Sequence, residues 1–182
     1  MVRVTIFAIV SAFLVYISRK SLFRSHSHGF YRFFAFESIL ALVLLNSLQW
    51  FKSPFSLQQL ISWFLLLISI FLVVYGIYSL LVIGKPSQTR SDNGLFAFEK
   101  TSSLVSVGAY KYIRHPLYSS LLFFVWGAFF KFPSWPGFLL AFWASFFLFF
   151  TAKSDEAECL AYFGKAYQIY MQSTKRFVPF LF

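Results

Sequence analysis

Five apolar stretches, broken only by short polar segments, decide what this chain can fold into. They cover residues 4–17, 33–51, 60–83, 117–130 and 136–152. A helix rises 1.5 Å per residue, so about 20 residues cross a hydrocarbon core of about 30 Å. The second and third stretches reach that length. The first, fourth and fifth are shorter and need flanking aromatics or a thinned bilayer. With 59% of its 182 residues hydrophobic and 12% charged, the chain has more apolar surface than a soluble domain of this size can bury. The expected fold class is all-α integral membrane. It has about five transmembrane helices, the last two a helical hairpin, and then a C-terminal amphipathic interfacial helix. Eight Gly, six Pro and one Cys exclude collagen, low-complexity disorder and a disulfide scaffold.

The 16 Lys and Arg residues are placed as five spans require. Counted through the six segments outside the spans, they number 1, 4, 1, 5, 1 and 4, so 13 of the 16 fall on one side. The positive-inside rule makes that side cytoplasmic, with the N-terminus outside and the C-terminus inside. The net charge of +10 therefore reports membrane orientation, and no nucleic-acid partner is expected. The first stretch is read as a retained helix, because no small-x-small cleavage site follows it and Arg19 and Lys20 do.

The organisation expected is one membrane domain, with three N-terminal spans in 1–83, a cytoplasmic loop in 84–116, the hairpin in 117–152 and a cytoplasmic helix and tail in 153–182. In the long loop, Lys85-Pro86 and Asp92-Asn93-Gly94 are turn signals. Phe96, Phe98, Leu104, Val105 and Val107 make the rest of the loop apolar enough to lie on the membrane or under the bundle. From Ser154 to Lys175 the spacing of Ala157, Leu160, Ala161, Tyr167 and Met171 is helical and amphipathic, with Ser154 as the N-cap.

Two polar clusters stand at the ends of the hairpin. Arg114 and His115 precede Pro116, which suits the first turn of a helix, and Asp155-Glu156 follows the returning stretch. About 14 residues run out and about 17 return, so the two clusters come back to one membrane face. Cations beside a helix N-terminus and a pair of carboxylates make a mouth for a zwitterionic ligand. Taken singly, each cluster also has a bland reading, as a headgroup anchor or as a helix cap. Glu37 is the one acidic residue inside a span, near the cytoplasmic end of the second; it either pairs within the bundle, with Arg32 or Arg114, or contacts a substrate. Three His and one Cys are too scattered for a metal site, and His26-Ser-His28 reads as a basic loop, so no metal is expected.

The run Gly108-Ala-Tyr110-Lys-Tyr112-Ile-Arg114-His115-Pro116-Leu-Tyr118, with Gly127 after it, resembles the signature of isoprenylcysteine carboxyl methyltransferases and the related phospholipid methyltransferases. Asp155-Glu156, Phe163-Gly164-Lys-Ala-Tyr167 and Arg176-Phe177-Val178-Pro179 resemble the second motif of that family. Ser120, Asp155 and Cys159 stand where the family usually has glycine, glutamate and leucine. The resemblance implies S-adenosylmethionine as methyl donor and direct methyl transfer to a lipophilic or prenylated acceptor at the cytoplasmic face, most like isoprenylcysteine carboxyl methylation. It implies Arg114 and Glu156 as catalytic residues, and His115, Tyr118, Tyr110, Asp155, Glu156 and Tyr167 around the donor, with Glu37 towards the acceptor. The absence of a Gly-rich strand–turn–helix fingerprint agrees with a donor site outside a Rossmann fold. Two other readings stay open at this stage. One is a non-catalytic membrane scaffold, and the other is an NADPH-dependent relative of the sterol reductases.

Overall fold

The computed structural model describes residues 1–86 and 96–179, and among these every regular element is helical. Five long helices run up and down: α1 Val2–Leu22, α2 His28–Asn46, α3 Leu57–Val82, α4 Pro116–Phe130 and α5 Trp135–Phe163; a short α6, Lys165–Ser173, follows. Helices α1, α2, α3 and α5 are long and apolar enough to cross a membrane, and α4 is a shorter apolar helix of 15 residues. This is an all-α integral membrane architecture. The turn expected at Asp92-Asn93-Gly94 lies outside the described residues.

Sequence spacing decides which faces meet. On α2 the buried residues are His28, Arg32, Ala35, Ile39, Leu42 and Asn46, steps of four and three that draw one straight seam. Helix α5 answers with Gly137, Ala141, Ala144, Leu148 and Thr151 at the same spacing. Small residues let two backbones approach closely where lipid gives no hydrophobic drive between helices. The α3–α4 pair follows the same logic. A Cβ at Gly127 would lie 2.9 Å from Leu66, and one at Gly76 would lie 2.8 Å from Leu117. The Ser62 hydroxyl donates to the Gly127 carbonyl at 2.7 Å, so the helices are joined as well as packed. Helix α1 differs: none of its apolar window is buried, and α2 is the helix it packs against.

Several boundaries differ from the sequence reading: α1 runs past residue 17 to Leu22, long enough to span without help, and α2 covers His28–Asn46 rather than 33–51. Helix α5 does not end at Ala152 but continues to Phe163, about 43 Å in all at 1.5 Å per residue. Charges mark where a helix leaves lipid, yet nothing breaks the backbone until Gly164, whose φ of 57° ends the helix. The amphipathic spacing from Ser154 to Lys175 is thus realised in two pieces, the last turns of α5 and then α6. Ser154 is not an N-cap; its hydroxyl donates to the His26 carbonyl at 3.0 Å. Glu37 is nine residues into α2, about 14 Å from its start, rather than at its end. Its neighbour there is Ser11 of α1, whose hydroxyl donates to Oε2 at 2.6 Å.

Candidate active site

At the end of the bundle where α4 begins and α5 finishes, the residues after α6 lie along the residues before α4. The Arg114 N–H donates to the Lys175 carbonyl at 2.7 Å, the Lys175 N–H to the Tyr112 carbonyl at 3.0 Å, and the His115 N–H to the Arg176 carbonyl at 3.2 Å. This pairing sets Arg114, His115 and Arg176 side by side over the last turns of α5. Pro116 opens α4 at N1, where its missing N–H leaves nothing unpaired.

Glu156 is the hub of the charges gathered there. Its Oε1 accepts from Arg114 Nε at 2.8 Å and Arg176 Nε at 3.0 Å, and its Oε2 accepts from Arg176 Nη2 at 2.7 Å. Arg114 Nη1 also donates to the carbonyls of Met171 (3.1 Å) and Thr174. Charge-assisted bonds of this kind are about twice as strong as neutral ones, and a buried carboxylate needs them. They also keep the hydrogen bonds to the Glu156 carboxylate turned away from open space.

Open space lies on the other side of the wall. A cavity is lined there by Arg114, His115 and Asp155 together with Tyr110, Tyr118 and Tyr167. His115 joins wall and hub: Nδ1 is 3.5 Å from Asp155 Oδ2, and Nε2 is 3.4 Å from Glu156 Oε1, buried without hydrogen-bond geometry. Burial alone would lower the imidazole pKa, but Asp155 and Glu156 outweigh it and hold it above the ordinary value. The His115 ring stacks on Tyr118, with centroids 5.3 Å apart and planes at 28°. Burial raises the Tyr110 and Tyr167 phenols above their ordinary values, so both present neutral aromatic faces. The Tyr170 hydroxyl fixes the cavity floor by donating to the Tyr110 carbonyl at 2.7 Å.

The structure thus brings Arg114, His115, Asp155, Glu156, Tyr110, Tyr118 and Tyr167 together, with Glu156 behind the cavity wall. Glu37 is held against α1, away from this cluster. Two further residues have places the sequence reading did not give them; His28, read as part of a basic loop, opens α2 instead. His28, fully buried, has Nδ1 2.6 Å from Glu158 Oε2, and with Asp155 these residues bring their ligand atoms within 4.8 Å of one another. The signal available was the spacing of Asp155 and Glu158, three apart on one helix face. Glu99 is the other: it lines the cavity and accepts from Arg32 Nη1 at 3.0 and 3.3 Å.

A model of the phospholipid methyltransferase family matches residues 57–167, which run from the start of α3 into α6. Comparison with curated proteins and with solved structures found no match.

Proposed function

Because this chain belongs to the phospholipid methyltransferase family, we propose that it transfers a methyl group from S-adenosylmethionine to a membrane-lipid acceptor, with the cavity beside Asp155 as the donor site. The observation that carries this reading is one wall bearing opposite charges next to a set of tyrosine faces. The ends of the donor are an ammonium and a carboxylate, its middle is a sulfonium and its far end is an aromatic base; each has a counterpart among the residues present.

Asp155 faces the cavity and suits the ammonium. Arg114 and His115, whose protonated form its two carboxylate neighbours favour, suit the carboxylate. Tyr110, Tyr118 and Tyr167 offer ring faces to a cation or to a flat heterocycle. When bound, the donor supplies an already activated methyl group, so the protein has only to align it with a nucleophile and exclude water. The role of Glu156 is to hold Arg114 and Arg176 in the positions the site needs. The acceptor class extends to prenylcysteine carboxylates, which share a lipophilic tail and an anionic head.

The site opens at the end of the bundle that gathers residues 19–32, 96–115 and 153–176, where the cations concentrate. By the positive-inside rule this end faces the cytoplasm, where the donor is made. The test is methyl-label transfer by the purified protein in detergent, with S-adenosylmethionine and a total lipid extract. A labelled lipid in the organic phase supports the reading. Bound donor with no labelled product selects a scaffold, and NADPH binding in place of donor selects a reductase.

A further inference from the structure

A second crevice opens between the end of α1 and the start of α2. Lys20, Arg32, Ser18 and Ser21 line it, with Phe36 and Phe96 as apolar walls. It is cationic, and it adjoins α1, the spanning helix of which no residue in the apolar window is fully buried. Arg32 is 7% exposed and has its guanidinium 4.3 Å over the Phe96 ring. The same guanidinium holds Glu99, and Glu99 lines the donor cavity. One ion pair therefore stands between the two spaces. All of the crevice except Phe96 comes from residues 17–36, which lie outside the family match, whereas the donor cavity lies almost wholly within it.

We propose that this crevice holds the phosphate of the acceptor lipid, with Arg32 and Lys20 as its cationic partners and the Arg32–Glu99 pair as the partition that sets the headgroup against the donor cavity. The inference rests on the methyltransferase reading and deepens it. Two cations and two hydroxyls suit the several oxygens of a phosphate; a carboxylate could be met by one arginine. The acyl chains lie along the apolar flank of α1, where Phe7, Phe13 and Ile17 are exposed. The nucleophile, a short linker away from the phosphate, passes Glu99 to reach the methyl group. Arg32 and Glu99 are positioning residues in this scheme.

The test is binding of short-chain phosphatidic acid, diacylglycerol with the same chains, and inorganic phosphate to the purified protein in non-ionic detergent. Wild type should prefer phosphatidic acid to diacylglycerol by at least about tenfold. Lys20→Glu, at an exposed position, should weaken phosphatidic acid roughly tenfold and leave diacylglycerol unchanged. Arg32→Gln should weaken it further, with Arg32→Lys recovering part of the loss. Equal binding of the two lipids, no effect of Lys20→Glu, or inorganic phosphate binding as well as the lipid would each overturn the proposal. Donor titration of the same preparations separates the two claims. Donor binding that persists while the lipid preference is absent defeats the crevice alone; absent donor binding defeats the methyltransferase reading.

Discussion

The two ends of the bundle are built from similar polar material and use it in opposite ways. At the end away from the motifs, Lys131 is 1% exposed, its Nζ 3.1 Å from the Trp63 ring centroid and 3.0 Å from Gln59 Oε1. Gln59 Nε2 returns a bond to the Lys131 carbonyl at 3.0 Å, and Asn46 Nδ2 donates to the Ala128 carbonyl at 2.8 Å. These groups staple α2, α3 and the α4–α5 turn into a closed plug. Burial against two tryptophans, with no carboxylate beside it, pushes the ammonium pKa down to about 8. At the motif end, Glu156 serves the same stapling purpose, but Arg114, His115 and Asp155 also present atoms to a cavity. Polar groups that close on one another hold a fold, while polar groups left facing space can hold a ligand.

The contrast breaks most visibly at its hub. Glu156→Gln leaves Arg114 and Arg176 without their carboxylate, and removing one partner of a buried pair costs about 3–5 kcal/mol. Thermal unfolding in detergent should show the loss, together with a donor affinity at least about tenfold weaker. Lys131→Met at the closed end leaves Gln59 Oε1 without its donor, a cost of about 1–3 kcal/mol, and should leave donor affinity where it was. A donor effect from Lys131→Met would erase the distinction between the ends.

A smaller effect follows from His115. Its pKa is raised in the folded protein, so its stabilising contribution is complete below the unfolded value of about 6.5 and is lost as pH rises through the folded value. Stability should therefore decline on the alkaline side in wild type and stay flatter in His115→Gln. Asp155→Glu is the mildest change, since it keeps the cavity-facing charge; donor affinity should move by less than about 1 kcal/mol. A loss as large as that from Glu156→Gln would mean that reach, rather than charge, sets the donor position.

The motif end was legible because its residues are adjacent in sequence and the hairpin length returns them to one face. Arg114, His115, Asp155 and Glu156 needed only the rise per residue to be brought together. Which carboxylate faces the cavity was not legible, because it depends on Arg176 returning beside Arg114 through a backbone pairing that no spacing rule gives. The His28–Glu158 bond links residues 130 apart and depends on the α2–α5 seam. Lys131 is, in sequence, the single cation between the fourth and fifth stretches, and its burial arises from Trp63 and Gln59 on another helix. Helix α5 outran its expected end because its charged last turns contain no breaker before Gly164.

In the proposed function the motif end binds the methyl donor and the closed end takes no part. Calorimetric titration of S-adenosylmethionine into purified wild type, Asp155→Asn and Lys131→Met tests it in one series. The account predicts one donor per chain for wild type and Lys131→Met with equal affinity, and roughly tenfold or weaker binding for Asp155→Asn. Wild type that binds no donor, or Asp155→Asn that binds as tightly as wild type, would contradict it.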